Sequence, residues 1–345
     1  MVGKLKLIGN RIIDISLSED NFLFLEQYLF PYYLLEKNGT YGDYTVVRRI
    51  IEMKNLFSFP EIKEIKENGE VSQIDIHYDQ KACVFRYNDY YLIQYERLGH
   101  SLLIKGNDIY IYLNKEDKNY HYIPMRIVRD IIYADLLNNM FYEVHAASVS
   151  INGNGVLIIG EGGAGKTTLL FRMLQNSNVD FVSNDKTFLN RNTMEMLGYP
   201  VSVNILKDTV QFVPCLEKLF ENGTNNTHYQ HVEWEEYKKR DKRTFAINDL
   251  QNLMGFRIMP SSTCKVVLIP QKDKGEFAEV DSDYSFLCRN IRFSKFMQWI
   301  SILYGEELKP FEIAKPNDDI VAFIKVYRDC DIRNLVKYIG ERVKL

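Results

Sequence analysis

One glycine-rich run in this chain has the residue types and the spacing to bind phosphate. The run is Gly160-Glu161-Gly162-Gly163-Ala164-Gly165-Lys166-Thr167-Thr168. It satisfies the pattern G-x-x-x-x-G-K-[ST], in which glycines turn backbone N–H groups toward a phosphate and a following helix adds unpaired donors. In such a loop Lys166 reaches the β- and γ-phosphates, and the Thr167 hydroxyl ligates Mg²⁺. The run therefore predicts a site for a nucleoside triphosphate and Mg²⁺.

The segments that flank the run favour this interpretation. Residues 155–159 read Gly-Val-Leu-Ile-Ile and predict a buried strand, and residues 168–174 predict a helix. A strand, a glycine loop and a helix in that order form a phosphate cradle. An empty glycine turn between a strand and a helix is the alternative.

A carboxylate is expected near the loop because Mg²⁺ takes oxygen ligands. Asp185 is the best candidate, since it follows an apolar strand predicted at residues 179–183. In a doubly wound sheet the carboxyl ends of the strands lie beside bound phosphates. The alternative for Asp185 is a turn or helix-capping aspartate. Asp180 would lie at the far end of the same strand and is interpreted as structural.

Two further sets of polar residues are candidates for the site. His145 lies in a strand predicted at residues 144–151, which forms a hairpin with the strand before the loop. On residue type alone, a core or surface histidine is the alternative. The basic group at residues 238–243 has the charge to neutralise phosphates, and solvated charge is the other interpretation. Within this group we select Arg243 as the candidate phosphate ligand, because it borders an apolar run. Arg257, outside the group, is a second candidate.

The composition limits the classes of function. The chain has 345 residues, of which 46% are hydrophobic and 26% charged, and a net charge of −3. This charge gives no general case for binding nucleic acid or an anionic membrane, and no apolar run is long enough to span a bilayer. The N-terminus lacks the apolar core of a signal peptide. The five cysteines are scattered and never spaced as C-x-x-C, which favours a reducing, cytoplasmic location over a disulfide framework or a zinc site.

The pattern of apolar residues divides the chain into two domains. Residues 1–124 predict a mainly β (α+β) accessory domain, in which residues 44–53 are more typical of a helix. An amphipathic helix is predicted at residues 125–142, and the domain boundary is placed at its start. Residues 125–345 then form the nucleotide-binding α/β domain. Further expectations are a polar surface loop or loose helix at 221–243 and helices at 293–304 and 331–343.

Several segments around these motifs form one recognisable block. They are His145-Ala146-Ala147-Ser148-Val149, Gly153 to Gly160, Gly163 to Leu169, Phe181-Val182-Ser183-Asn184-Asp185 and Gly198-Tyr199-Pro200. Together they resemble the HPr kinase/phosphorylase-like family, whose phosphate loop is related to that of phosphoenolpyruvate carboxykinases. The resemblance is loose over the rest of residues 125–345. It implies a P-loop kinase domain of the HPr kinase/phosphoenolpyruvate carboxykinase type.

The resemblance also implies an ATP- and Mg²⁺-dependent kinase that acts on a serine hydroxyl. Lys166 and Thr167 match the family's phosphate and metal ligands, and His145 matches its histidine ahead of the loop. In the family an acidic pair at the strand end supplies the base and helps to hold the metal. Here the pair is Asn184-Asp185, and an asparagine cannot accept a proton at neutral pH.

Three outcomes of that departure stay open. Asp185 serves as the base itself, or little base strength is needed because phosphoryl transfer depends mainly on positioning and charge neutralisation. In the third outcome the chain binds nucleotide and turns it over slowly or not at all. Asn184 is the residue that separates them.

The expected function is transfer of the γ-phosphoryl group of ATP to a hydroxyl, with a serine of a peptide or small protein as the first expectation. The substrate-loop signature of HPr kinases is not recognisable, so HPr itself is not the expected acceptor. Relatives in gene clusters for modified peptides phosphorylate a precursor peptide, and an appended N-terminal domain fits such a relative. The alternatives are a nucleotide-binding regulatory module and a small-molecule kinase. Family members tend to form rings, which makes a homo-oligomer a further expectation.

Overall fold

The structure of the chain is a computed structural model that describes residues 1–37, 43–77, 80–221, 242–281, 283–308 and 320–344. The predicted α/β class is confirmed, because these residues form helices together with sheets of mixed parallel and antiparallel strands. The chain divides into two compact units, Met1–Asn139 with Phe293–Phe311 and Met140–Arg292 with Glu312–Leu345. This division differs from the boundary placed after residue 124, because the helix expected to open the second domain belongs to the first unit.

The helices are numbered from the N-terminus. They are α1 (Glu19–Leu29), α2 (Glu61–Asn68), α3 (Tyr122–Asn138), α4 (Lys166–Met173), α5 (Glu217–Glu221), α6 (Ile247–Met254), α7 (Tyr284–Arg289), α8 (Met297–Tyr304) and α9 (Ile332–Arg342). The two helices expected near the C-terminus are present as α8 and α9. Of the two, α8 returns to the first unit and α9 belongs to the second.

A nine-stranded sheet forms the centre of the first unit. Its strands are β1 (Val2–Lys6), β2 (Arg11–Ser16), β3 (Leu35–Lys37), β4 (Thr45–Met53), β5 (Glu70–His77), β6 (Gln80–Tyr87), β7 (Tyr90–Tyr95), β8 (Ser101–Lys105) and β9 (Asp108–Tyr112). Their spatial order is β3-β1-β2-β4-β9-β8-β7-β6-β5. β4 is parallel to both of its neighbours, and the other neighbouring pairs are antiparallel.

The helix-like interpretation of residues 44–53 is wrong, because these residues form β4. Ile50 lies opposite Ile15 of β2 on one side and Ile109 of β9 on the other. All three side chains are buried. β-Branched residues such as Val46 and Ile50 pack well on a pleated surface, and pairing on both sides of the strand decides the conformation.

A ten-stranded mixed sheet forms the centre of the second unit. The strands of this unit are β10 (Phe141–Val144), β11 (Ala146–Ile151), β12 (Asn154–Ile159), β13 (Val179–Ser183), β14 (Thr187–Asn190), β15 (Glu195–Leu197), β16 (Val203–Leu206), β17 (Lys242–Phe245), β18 (Ser261–Pro270), β19 (Phe277–Val280), β20 (Ile291–Arg292) and β21 (Ala322–Val326). The order is β13-β11-β12-β18-β15-β14-β10-β20, with β21 paired to β18 and β19. β16 and β17 form a separate two-stranded ribbon.

The predicted hairpin before the glycine loop is confirmed. β11 and β12 pair antiparallel, with Ala146 opposite Ile159 at the end next to the loop. Asn152 and Gly153 make the turn between them with positive φ angles of 51° and 86°. β11 is buried along its whole length, which fixes the hairpin in the core of the unit.

The helix predicted to run to residue 142 ends earlier. α3 stops at Asn138, and the left-handed backbone of Met140, with φ 68°, precedes β10. Phe141 and Tyr142 are therefore strand residues, and this part of the prediction is wrong. Their aromatic and apolar character suits a buried strand as well as a helix, and periodicity alone cannot distinguish the two in a short apolar run.

The polar loop predicted at 221–243 and the basic group at 238–243 lie mostly outside the described residues, because the structure does not describe residues 222–241.

Among the described residues, none of the helices has the length and apolar character needed to cross a membrane.

Candidate functional site

Three chain segments that carry predicted site residues meet at one edge of the second sheet. β11 lies between β12 and β13 and is antiparallel to both, so β12 and β13 run in the same direction. The glycine loop follows Ile159 at the end of β12, and the Asn184-Asp185 turn follows Ser183 at the end of β13. His145 precedes Ala146 at the start of β11, at the same edge. The sheet thus gathers the predicted residues from three places in the sequence.

The glycine loop leads directly into α4. Gly163 and Gly165 have left-handed backbone, with φ of 76° and 97°, a conformation that glycine adopts at little cost. A Cβ placed on Gly162, Gly163 or Gly165 would meet no atom within 4 Å. The loop therefore offers open backbone next to a helix N-terminus, which is the arrangement that binds anions.

The Lys166 side chain lies folded over the loop. Its Nζ donates to the carbonyl oxygens of Gly160 at 2.7 Å and Glu161 at 3.2 Å. Burial lowers the pKa of Lys166, the nearby Asp185 carboxylate raises it, and the guanidinium of Arg292 lowers it. In the described part of the chain no carboxylate lies within ion-pair distance of this ammonium, so its charge is available to an anion.

Thr167 links the loop to the turn after β13. Its Oγ1 donates to Oδ1 of Asn184 across 3.3 Å. Asn184 is 2% exposed, and its Nδ2 has no hydrogen-bond partner among the described residues. A buried donor without a partner costs free energy. This nitrogen is therefore a candidate contact for an acceptor atom that the chain itself does not supply.

Asp185 sits in a tight turn. Its backbone is left-handed, with φ 64°, and the N–H of Lys186 donates to the Asn184 carbonyl oxygen at 2.8 Å. The Asp185 carbonyl oxygen lies 3.2 Å from Nδ1 of His145. The turn therefore brings the backbone of Asp185 against the imidazole of His145.

The electrostatic surroundings keep His145 neutral. Burial lowers the pKa of His145, and the positive charges of Lys166 and Arg292 lower it further, while Asp185 raises it. In the neutral ring, an Nδ1–H donated to the Asp185 carbonyl oxygen leaves Nε2 as an acceptor. His145 thus joins the candidate site as a polar, uncharged group.

Three charged residues that sequence reasoning missed lie around these groups. Glu143 of β10 is buried, and its Oε1 forms an ion pair of 3.1 Å with Nζ of Lys186. Arg292 of β20 lies directly opposite Glu143 in the ladder between β20 and β10. Lys186 adjoins the recognised Asp185, but Arg292 belongs to no motif, and only the pairing of two distant strands brings it here.

Arg243, the basic residue selected from the sequence, lies in the ribbon of β16 and β17. Its Nη1 donates to the Phe220 carbonyl oxygen at 2.9 Å, and its guanidinium carbon lies 5.1 Å from the centroid of the Phe220 ring. These contacts anchor Arg243 in the ribbon, and its role at the phosphate site stays a prediction.

Arg257, the second basic candidate, pairs with Asp180. Its Nε lies 2.8 Å from Oδ1 and its Nη2 3.3 Å from Oδ2, a two-point contact. Asp180 lies near the start of β13, away from the carboxyl end that reaches the site. The pair fits the structural interpretation of Asp180, and it gives Arg257 a structural partner as well.

The donor atoms at the sheet edge fit a metal that arrives with a nucleotide. The described residues contain no cluster of three or more His, Cys, Asp or Glu side chains that could hold a metal by itself. The Thr167 hydroxyl, the Asn184 amide oxygen and the Asp185 carboxylate are oxygen donors on adjoining segments. Mg²⁺ prefers oxygen and is usually held by one or two protein groups together with substrate phosphates and water.

Comparison with known proteins adds no family to these observations. No protein-family model matches the chain, and no curated protein matches it at a significant level. The resemblance to the HPr kinase/phosphorylase-like family therefore stays a prediction from the quoted motifs. Function has to be inferred from the geometry of the sheet edge.

Proposed function

We propose that this chain is a kinase that transfers the γ-phosphoryl group of ATP to a hydroxyl, with a serine of a peptide or small protein as the acceptor. One observation carries the proposal, the meeting of the glycine loop with the Asn184-Asp185 turn. The 3.3 Å hydrogen bond from Thr167 to Asn184 joins the two segments. Phosphoryl transfer needs a phosphate-binding loop and a metal-binding carboxylate side by side.

Each residue at this edge has a role in the proposed reaction. The N–H groups at the start of α4 and the Lys166 ammonium bind the β- and γ-phosphates. Thr167 and Asp185 would hold Mg²⁺, which would supply neutralisation of charge on the phosphate oxygens. The acceptor oxygen bonds to the γ-phosphorus while the bond from that phosphorus to the β,γ-bridging oxygen breaks, and ADP leaves.

The proton of the acceptor hydroxyl needs a destination. Asn184 cannot take it, and Asp185 is the carboxylate of the turn. A loose transition state asks little of a base until late in the reaction, so transfer of the proton to Asp185 at that stage is sufficient. We assign the buried Nδ2 of Asn184 to a contact with the acceptor oxygen or with a phosphate oxygen.

The class of acceptor comes from the resemblance to kinases that modify precursor peptides. The chain has a separate unit, built on the nine-stranded sheet, in addition to the unit with the glycine loop. A peptide substrate needs surface beyond the phosphate site, and an accessory unit is a source of such surface. A small-molecule kinase differs from this proposal in the acceptor alone.

A regulatory module that binds nucleotide with little turnover is the second candidate. It is favoured by Asn184, which stands where the kinase family has its base and whose oxygen is already engaged by Thr167. Such a module would use the same loop, lysine and threonine to bind ATP but would leave the γ-phosphate in place.

The experiment that tests the proposal measures ATP turnover with Mg²⁺ in the wild type and in Lys166→Ala. Mass spectrometry follows peptides encoded beside the gene and looks for the mass gain of one phosphate. The control variant is Lys337→Ala, which removes an exposed lysine from α9. We expect phosphorylation in the wild type and the control and its loss in Lys166→Ala.

The outcomes separate the two candidate functions. A phosphorylated peptide that disappears in Lys166→Ala supports the kinase and identifies the acceptor. Tight ATP binding without turnover or labelled peptide contradicts the kinase and supports the regulatory module. If ATP does not bind at all, both candidates are wrong.

A further inference from the structure

Arg292 lies in a strand that no motif marks, and the pairing of that strand places it beside His145. β20 pairs antiparallel with β10, with Arg292 opposite Glu143, and the N–H of His145 extends the ladder by donating to the Asn290 carbonyl oxygen at 2.8 Å. Residues directly opposite in such a ladder point to the same side of the sheet, and diagonal neighbours are within reach of long side chains. The side chain of Arg292 therefore leaves the sheet on the same face as that of Glu143, and His145 is its diagonal neighbour.

The guanidinium of Arg292 has no ion pair or hydrogen bond with any residue that the structure describes. Of the carboxylate opposite it, Glu143, Oε1 pairs with Lys186 at 3.1 Å, and Oε2 has no hydrogen-bond partner among the described residues. The positive charge of Arg292 nevertheless acts on two groups of the site, because it lowers the pKa of both Lys166 and His145. Arg292 is thus an exposed cation whose charge acts on a second cation, the buried Lys166.

The positive charges of Lys166 and Arg292 repel each other, and Asp185 offsets part of the charge of Lys166, so an anion bound near both cations is favourable. Lys166 is surrounded by open loop backbone and the N-terminus of α4. The buried Nδ2 of Asn184, which lacks a partner among the described residues, is a third donor at the same sheet edge. The polar groups at this edge are those of an anion site that extends past the loop toward β20.

We propose that Arg292 is the second cation of the phosphate site and contacts the outermost phosphate of the bound nucleotide. This inference rests on the proposed function. It gives to Arg292 the role that the sequence analysis expected of Arg243, whose guanidinium contacts Phe220 in the ribbon. A guanidinium suits the task because its planar fork binds two phosphate oxygens at once and stays charged.

The position of Arg292 predicts selectivity for nucleotides by phosphate number. Lys166 and the loop bind the β-phosphate, which ATP and ADP share, and Lys166 also reaches the γ-phosphate of ATP. Arg292 serves the γ-phosphate, which only ATP carries. Loss of its guanidinium should therefore weaken ATP and spare ADP, while loss of Lys166 should weaken both.

The test is calorimetric titration of ATP, ADP and inorganic pyrophosphate, with Mg²⁺ present, into the full chain. The variants are Arg292→Ala, Arg292→Lys, Lys166→Ala and Arg243→Ala. The control is Arg289→Ala, which removes an exposed arginine that packs on Phe286. We expect Arg292→Ala to weaken ATP by about tenfold or more and ADP by less than about threefold. Arg292→Lys should fall between Arg292→Ala and the wild type, and Arg289→Ala should match the wild type. Circular dichroism melting checks that each variant is folded.

Each outcome decides one question. Equal ATP affinity in the wild type and Arg292→Ala overturns this inference and leaves the proposed function standing. If the wild type binds pyrophosphate in an Arg292-dependent way but neither nucleotide, the anion site is supported and the proposed function is wrong. If the wild type binds none of the three, both are wrong. A selective loss of ATP in Arg243→Ala with none in Arg292→Ala would return the role to Arg243.

Discussion

The hydroxyl of Thr167 donates a hydrogen bond to the side-chain oxygen of Asn184 across 3.3 Å. This contact joins the first turn of α4 to the turn after β13, two segments separated in the sequence by a helix and a strand. It also fixes the orientation of the Asn184 amide, with the oxygen toward Thr167 and the nitrogen directed elsewhere. The chemistry of the proposed site therefore depends on what an amide at residue 184 can do.

Replacing Asn184 with aspartate should raise the rate of phosphoryl transfer. Asn184→Asp keeps an oxygen toward Thr167 and puts a second oxygen, able to accept a proton, where the unpartnered nitrogen is now buried. A positioned general base contributes about 10²-fold or more, and we expect a gain of at least about tenfold because a loose transition state uses only part of it. Single-turnover measurement of ADP formation gives the rate.

The control for this change is Asn184→Ala, which removes both the acceptor for Thr167 and the buried amide. It should cost about 1 kcal/mol of stability for the lost hydrogen bond and should not raise the rate. An unchanged or lower rate in Asn184→Asp would mean that the contact proposed for the amide nitrogen, with the acceptor oxygen or a phosphate oxygen, contributes more to the rate than an added base.

The parts of the fold that could be predicted from the sequence have local signals. The strand before the glycine loop, the loop and α4 form one continuous stretch, and the turn at Asn152 and Gly153 marks the hairpin. Local turn residues and a short motif are sufficient for these features. The meeting of His145 with the turn at Asp185 needs in addition the pairing of β11 with β13, which no local signal marks.

The features that could not be predicted depend on pairing between distant segments. Residues 44–53 form a strand because β2 and β9 flank them, and no local pattern contains those partners. Arg292 reaches the site because β20 pairs with β10, a contact between strands far apart in the chain. Arg243 was selected for its neighbours in the sequence, and its contacts with Phe220 were equally invisible there.

The conformations of the loop glycines predict a difference between two alanine variants. Gly165 has φ 97°, which a residue with a Cβ adopts at a cost, whereas a Cβ at either Gly165 or Gly162 would meet no atom within 4 Å. Gly165→Ala should therefore lower the free energy of unfolding by about 1–2 kcal/mol through backbone strain alone, and Gly162→Ala should leave it nearly unchanged. Urea denaturation measures both, and equal stabilities would show that the loop relaxes around the new side chain.

A buried carboxylate in the first unit predicts a large loss of stability. Oδ1 of Asp135, whose side chain is 2% exposed, lies 2.7 Å from Nη1 of Arg11. Asp135 also accepts hydrogen bonds from the N–H of Ile8 at 3.2 Å and from the hydroxyl of Tyr304 at 3.4 Å. Asp135→Ala leaves these donors without their acceptor and should cost about 3 kcal/mol, measured by urea denaturation.

The matched control is Tyr304→Phe, which keeps the ion pair of Asp135 with Arg11 but removes a hydroxyl that donates to Asp135 and accepts from Nη2 of Arg11. It should cost about 1–2 kcal/mol. If the two variants lose equal stability, the charge of Asp135 contributes nothing beyond the hydrogen bonds of the Tyr304 hydroxyl.

His100 is a buried histidine whose two ring nitrogens both have partners in the first unit. Nδ1 accepts from the N–H of Asn114 at 3.0 Å, so the proton of the neutral ring lies on Nε2, which is 2.9 Å from Oδ2 of Asp117. Burial lowers the pKa of His100, Asp117 raises it, and Arg126 lowers it. The native state therefore holds His100 neutral at a pH where the unfolded chain begins to protonate it.

This arrangement predicts that the melting temperature falls as the pH drops below about 6.5, the ordinary pKa of histidine. Below that pH the unfolded state binds a proton that the native ring does not. The contribution of His100 to the free energy of unfolding is therefore fully present above about pH 6.5, and it is lost as the pH falls toward the lower native pKa. His100→Gln does not titrate in this range and should show a smaller slope between pH 7 and pH 5, although its melting temperature at pH 7 will be lower. Differential scanning calorimetry across this range gives both slopes, with His121→Gln as the control for removal of a histidine from the same unit. Equal slopes in the wild type and His100→Gln would show that native His100 takes up its second proton as readily as it does in the unfolded chain. The ion pair with Asp117 would then outweigh the effect of burial on the pKa of His100.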